Sequence, residues 1–246
     1  MVLKPRTGKL YLIGAGPGDP ELLTLKAVGA LGESDVILYD RLVDEAVLRH
    51  ARKDAEIVYV GKHHGEQEKT QAEIFNLIRV HAEARKVVAR LKGGDPMVFG
   101  RGAEEWALAQ EHGMVVELVP GVTSVIAVPS LAGIPITYRK ISQSFAVITG
   151  HGYEGSPQEW RRYAAVGTLI ILMGVKNRVA IAESLIEAGR SEDEPAAFIE
   201  RGTTDRERVI ECTLGAVAKG AVQVQNPAVL VIGEVVRVRK RLKREI

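Results

Sequence analysis

Three segments of the chain combine glycine, acid and hydroxyl residues at spacings that can hold a small molecule. The first is LYLIGAGPGDPELLTLKA, residues 10–27, where an apolar run meets Gly14, Gly16 and Gly18 and a helix follows. A dinucleotide fingerprint needs a third glycine where this chain has Asp19. A phosphate-gripping P-loop needs a lysine followed by a hydroxyl, which neither this loop nor GEQEKT (65–70) supplies. Pro17 has no N–H to donate, and Asp19 stands as an N-cap with Pro20 behind it and Glu21 in the first turn. Two carboxylates where a pyrophosphate would sit oppose phosphate binding. This loop is expected to approach a ligand closely without gripping phosphate; the bland alternative is a tight strand-to-helix turn.

The second segment, RLKGGDPMVFGRGAEE (90–105), places Gly93 and Gly94 after a strand and Asp95 behind them. Glycines let a backbone come close, and ligands of open α/β sheets bind at the edge where the strands end. The third, VPGVTSVIAVPS (119–130), brings Gly121 with Thr123 and Ser124 at a helix start, where either hydroxyl can also serve only as a cap. Acidic glycine loops suit a ligand that is neutral or cationic and lacks phosphate. A nucleoside carrying a sulfonium fits: ribose hydroxyls for carboxylates, adenine for apolar walls, and an S⁺ centre that oxygen atoms favour.

The elements that must position these loops alternate. Val- and Ile-rich runs at 10–13, 36–40, 56–60, 87–91, 115–119, 145–149, 168–173, 196–200 and 228–236 read as strands. Amphipathic segments at 20–31, 43–52, 71–83, 102–112, 122–132, 158–164, 176–188 and 213–219 read as helices. The pattern predicts an α/β protein with a largely parallel first sheet. The stretch GIPITYRKISQS (133–144) looks like a crossing between domains, 1–137 and 138–246. Beyond it, TTDRERVIECTLG and the last apolar run predict a mixed second sheet.

The 246 residues carry a formal net charge of +2, too small for a global field that recruits nucleic acid or membrane. The basic tail RVRKRLKRE (237–245) lacks interleaved aromatics and reads as the solvated end of a terminal strand. No run approaches the roughly 20 apolar residues of a membrane span, and no leader core is present, so the expectation is a cytoplasmic protein. The single cysteine, Cys212, has no base near it in sequence and is expected to be structural. His63 and His64 lack a third ligand at metal-site spacing, so no metal is expected.

GAGPGDPELLTLKA (14–27), VILYDRLV (36–43), VYVGK (58–62), the 90–105 block, VPGVTSVIAVPSLAGIPIT (119–137), ITGH (148–151) and ILMG (171–174) run in one order over nearly the whole chain. In them the sequence resembles the tetrapyrrole methylases, and among these the uroporphyrinogen-III C-methyltransferases. The resemblance implies two α/β domains with an active-site cleft between them, a homodimer, and S-adenosylmethionine as cofactor, leaving S-adenosylhomocysteine. The implied reaction is C-methylation of uroporphyrinogen III to precorrin-1 and precorrin-2, with methylation as the chain's one activity. Implied cofactor contacts are Pro17, Gly93, Gly94, Asp95, Val98, Thr123, Ser124, Met173, Gly202 and Ala228; Asp40 is the implied proton acceptor and Lys62 the donor. The polycarboxylate substrate calls for cations, with Arg41, Arg90, Arg101, Arg139 and Lys140 as candidates. The chain departs from the family pattern at Met97, Ala103, Phe75 and Tyr138, the last where histidine is usual. Rival readings are a later precorrin methyltransferase and, from another class, a nicotinamide-dependent oxidoreductase.

Overall fold

The structure is a computed structural model that describes residues 8–61, 71–151 and 159–243. The chain divides into two compact units, Met1–Thr123 and Ser124–Ile246, with the stretch 133–144 inside the second.

The first unit holds strands β1 (Lys9–Gly14), β2 (Val36–Tyr39), β3 (Glu56–Tyr59), β4 (Val87–Lys92) and β5 (Val115–Val119), and helices α1 (Leu25–Glu33), α2 (Gln71–Glu83) and α3 (Gly102–Glu111). All strand pairs are parallel, in the order β3-β2-β4-β1-β5. Such a sheet is covered on both faces, so its strands are mainly apolar, with Arg90 and Lys92 of β4 as buried charged exceptions. Tyr11, Ile13, Ile37, Tyr39, Ala89 and Leu91 pack with Ala27, Ala30 and Leu31 of α1. Leu10, Val36, Leu38 and Val88 pack on the other face with Ile74 and Ile78 of α2 and Ala109 of α3. The loop after β1 thus leads to one face and the loop after the adjacent β4 to the other. That divergence is the topological switch point, where a crevice opens at the strand C-termini.

The second unit holds α4 (Ser124–Leu131), β6 (Phe145–Thr149), β7 (Thr168–Leu172), α5 (Arg178–Glu187), β8 (Pro195–Glu200), β9 (Arg208–Thr213), α6 (Leu214–Ala218), β10 (Ala228–Ile232) and α7 (Val238–Leu242). Its sheet runs β6-β7-β10-β8-β9; only β6 and β7 are parallel, so it is mixed. Phe198, Leu169, Ile171, Leu214 and Leu230 centre its core.

Local chemistry moved several boundaries. The expected helix over 20–31 is a 3-10 turn, Pro20–Leu22, capped by Asp19, and then α1, because Thr24 accepts the Ala27 N–H and starts the helix afresh. Segments 43–52 and 158–164 form short 3-10 turns, Glu45–His50 and Trp160–Tyr163, with residue 158 outside the described residues. The strand expected to reach 236 stops at Ile232. Gly233 has φ +142°, and a Cβ there would meet the Gly167 carbonyl oxygen at 2.5 Å. The described part of the basic tail is not a strand end: Val238–Leu242 form α7, seated by buried Val238. Arg237 donates to Glu234, Arg239 to Glu211 and Arg241 to the Tyr138 hydroxyl, so these tail cations are engaged within the chain. No described helix is long and apolar enough to cross a membrane.

Candidate active site

The three glycine loops of the first unit meet at the switch point. Gly94 N–H donates to the Gly16 carbonyl at 2.6 Å, and Gly16 N–H returns a bond to Gly94 at 3.3 Å. A Cβ on Gly14 would stand 2.5 Å from the Gly121 Cα; one on Gly121 would stand 2.2 Å from the Gly94 oxygen. Glycine is therefore needed at 14 and 121 so that the loops can pack on each other, where the sequence suggested approach to a ligand. Gly93 likewise clears the Leu42 side chain, 2.7 Å from a built Cβ. Gly16 and Gly94 both have positive φ, +81° and +66°.

Asp95 does not simply present charge to a ligand. Its Oδ1 accepts the Met97 N–H at 2.8 Å and its Oδ2 the Gly121 N–H at 3.0 Å, bracing the second loop against the third. Pro17 and Val98 flank this junction in sequence and are half-buried, and Thr123 leads into Ser124 at the start of α4.

Asp40 follows β2 at the same sheet edge. Its Oδ1 accepts the Leu42 N–H at 3.1 Å, and its Oδ2 faces Arg90 at 3.3 Å. Arg90, sought as a ligand for substrate carboxylates, is 3% exposed and fully engaged: it donates also to the Leu38 and Leu91 carbonyls and to Glu105. It is an internal partner of Asp40, not a surface cation. Glu105, wholly buried in the first turn of α3, also accepts from Lys92 at 3.1 Å and from Gln71 at 3.3 Å. Burial pushes the Lys92 ammonium below its ordinary value, aided by Arg90 and opposed by Glu105. Sequence reasoning passed over Lys92 and Glu105. The signal was there in VVARLK: two cations two residues apart share one face of a strand that is otherwise apolar, and buried cations demand an acid.

In the second unit a similar device joins the loops after β6 and β7. A Cβ on Gly150 would stand 2.3 Å from the Gly174 Cα, and Asn177 donates to the Gly150 carbonyl. Between them Met173 is exposed with φ +56°. Gly202 packs on Val128 of α4, and its neighbours Arg201 and Thr203 have φ +46° and +69°. Ala228 opens β10 opposite Glu200, and the Arg201 N–H donates to the Pro227 carbonyl beside it. Seven described non-glycine residues have positive φ. Arg85 follows α2; the other six, Phe99, Arg101, Lys140, Met173, Arg201 and Thr203, lie in segments singled out from the sequence. Strain of this kind costs of order 1–3 kcal/mol per residue and collects at functional sites.

Arg41, Arg101 and Arg139 are exposed, and Arg101 pairs with Glu104 one turn on. Lys140 lines a shallow groove of about 340 Å³ with Arg237 and Arg241. Lys62, with His63 and His64, lies outside the described residues. Burial pushes the Cys212 thiol up to about 11, so it is not a nucleophile at neutral pH. Among the described residues no group of three or more His, Cys, Asp or Glu side chains could hold a metal ion.

Residues 9–218 match the family described as Tetrapyrrole (Corrin/Porphyrin) Methylases. A uroporphyrinogen-III C-methyltransferase of Methanocaldococcus jannaschii is 45% identical over 94% of this chain and 98% of its own length. A sirohaem synthase of Aeromonas hydrophila is 45% identical over 97% of this chain, which spans only 51% of that protein. The crystal structure of a Thermus thermophilus uroporphyrin-III C-methyltransferase complexed with S-adenosylhomocysteine superposes with a TM-score of 0.83 at 50% identity, covering 94% of each chain. With its parallel and mixed sheets and these loops in order along it, the chain belongs to the tetrapyrrole methylases.

Proposed function

We propose that the protein transfers methyl groups from S-adenosylmethionine to ring carbons of uroporphyrinogen III, giving precorrin-1 and then precorrin-2. The observation that carries this reading is the switch-point crevice. Its loops interlock through Gly14, Gly94 and Gly121, and it offers acids and prolines where a nucleotide site offers lysine and free N–H groups. The first loop leads into a three-residue 3-10 turn whose first N–H is already taken by Asp19, so that turn offers no helix dipole to a pyrophosphate. That donor set fits a sulfonium nucleoside.

The reading assigns cofactor contacts to Pro17, Gly93, Gly94, Asp95, Val98, Thr123, Ser124, Met173, Gly202 and Ala228. The bound cofactor supplies an electrophilic methyl carbon; attack by an electron-rich pyrrole carbon forms the C–C bond and leaves a neutral thioether. The positive charge then left on the macrocycle must be steadied and a proton removed. Asp40, partly exposed and held by Arg90 and the Leu42 N–H, is the carboxylate assigned to that task, and Lys62 to proton donation or a propionate. Arg41, Arg101 and Arg139 are the exposed cations assigned to the substrate's carboxylates. Holding the two reactants in line recovers roughly 7–11 kcal/mol of barrier. The same reading places a homodimer in the cytoplasm; a lone cysteine suits a reducing compartment, and the dimer is supported by the resemblance alone.

Incubation with uroporphyrinogen III and methyl-labelled S-adenosylmethionine, followed by mass analysis, tests the reading. Singly and then doubly labelled tetrapyrrole is expected. No label entering uroporphyrinogen III, with label entering precorrin-2 supplied in its place, supports the sibling activity, and tight NADH binding with no response to S-adenosylhomocysteine overturns both.

A further inference from the structure

We infer that Glu105, acting through Arg90, is a positioning residue for Asp40. The inference rests on the reading that Asp40 serves methyl transfer. β4 is a central strand, flanked by β2 and β1, yet it carries Arg90 and Lys92 on the face covered by α2 and α3. Bare cations there would be strongly destabilising. Glu105 answers both: its Oε1 accepts Arg90 Nε at 3.2 Å and Lys92 Nζ at 3.1 Å.

Lys92 alone would balance Glu105. Arg90 is the excess cation, and its guanidinium is gripped from three elements. One Nη donates to the Leu38 carbonyl of β2 and the Leu91 carbonyl of β4, Nε donates to Glu105 of α3, and the remaining Nη reaches Asp40 Oδ2. Exposure rises along this relay, from 0% at Glu105 and 3% at Arg90 to 26% at Asp40. A planar fork fixed at its inner end sets the direction of its outer bond. The Asp40 carboxylate is thereby aimed by a buried anchor in α3, while the Leu42 N–H holds its other oxygen.

The test compares Glu105→Gln, the charge-balanced double variant Lys92→Met/Glu105→Gln, and Asp40→Asn in the full chain. It measures kcat, KM for uroporphyrinogen III, Kd for S-adenosylhomocysteine and the thermal midpoint. Misaimed catalytic groups cost up to about 100-fold. The expected result is a loss of about 10- to 100-fold in kcat for the first two variants, with KM and Kd within about twofold of wild type. Wild-type kcat in the folded double variant, with Asp40→Asn impaired, overturns the positioning role. So does a parallel loss of kcat, KM, Kd and stability, or a double variant that does not fold, since each marks a purely structural cluster. Full activity of Asp40→Asn shows instead that the reading of Asp40 has failed.

Discussion

The Asp95 carboxylate accepts the Gly121 backbone N–H at 3.0 Å across 26 residues of sequence, while its other oxygen closes its own turn on Met97. One side chain thus sets the spacing of two loops. Asp95→Asn keeps the size but turns one acceptor into a donor facing an N–H. Charged hydrogen bonds of this kind contribute about 1.5–3 kcal/mol. Affinity for S-adenosylhomocysteine is therefore expected to fall roughly 10- to 100-fold by calorimetry; unchanged affinity refutes the brace.

Gly121 and Gly29 should respond oppositely to alanine. At 121 the new Cβ lies 2.2 Å from the Gly94 oxygen and 2.6 Å from the Gly14 Cα, so backbone must move, at a cost of about 1–3 kcal/mol or more. Gly29 lies inside α1 with no atom within 4 Å of a built Cβ, and alanine there gains about 0.5–1 kcal/mol. Thermal melts should show midpoints shifting down for Gly121→Ala and up for Gly29→Ala.

Asp40→Ala is expected to reduce methyl transfer by roughly 100-fold or more, the scale of a positioned acid–base group, with S-adenosylhomocysteine affinity nearly unchanged. Equal turnover of variant and wild type removes Asp40 from the chemistry.

Glu200 carries an acid-stability prediction. Buried at the end of β8, it accepts the Arg208 fork at 2.9 and 2.7 Å and the Gln225 N–H as well. The Arg208 hydrogen bonds hold its carboxyl below the ordinary value. A carboxyl lower in the folded than the unfolded state binds fewer protons when folded, so its stabilisation is present above about pH 4.3 and fades as pH falls through the folded value. Urea unfolding of Glu200→Gln should show lower stability at pH 7, by about 1–3 kcal/mol, and a flatter acid limb. An acid limb as steep as wild type's contradicts it.

Most of the scaffold was legible because strands buried in a sheet's interior must be nearly continuous apolar runs: VILY, in the parallel sheet, and TLIIL, in the mixed one, could hardly be anything else. Ends were harder: Thr24 restarts a helix with a single hydroxyl, and Gly233 ends a strand by packing against Gly167, far away in sequence. At the site, the loops announced themselves by glycine and acid, but not what the glycines were for. That Gly14 makes room for Gly121, and that Glu105 is the acid which meets the paired cations of VVARLK, are tertiary facts that spacing along the chain does not encode.

The interlocked glycines also decide where the protein can change. A substitution at 14 or 121 disturbs two loops at once, whereas Met97 and Phe99, 47% and 45% exposed on the middle loop, are bound by no such packing. Mutant libraries aimed at unnatural alkyl donors belong at these two side chains, with the three crossing glycines frozen: innovation at the rim, inheritance at the hub.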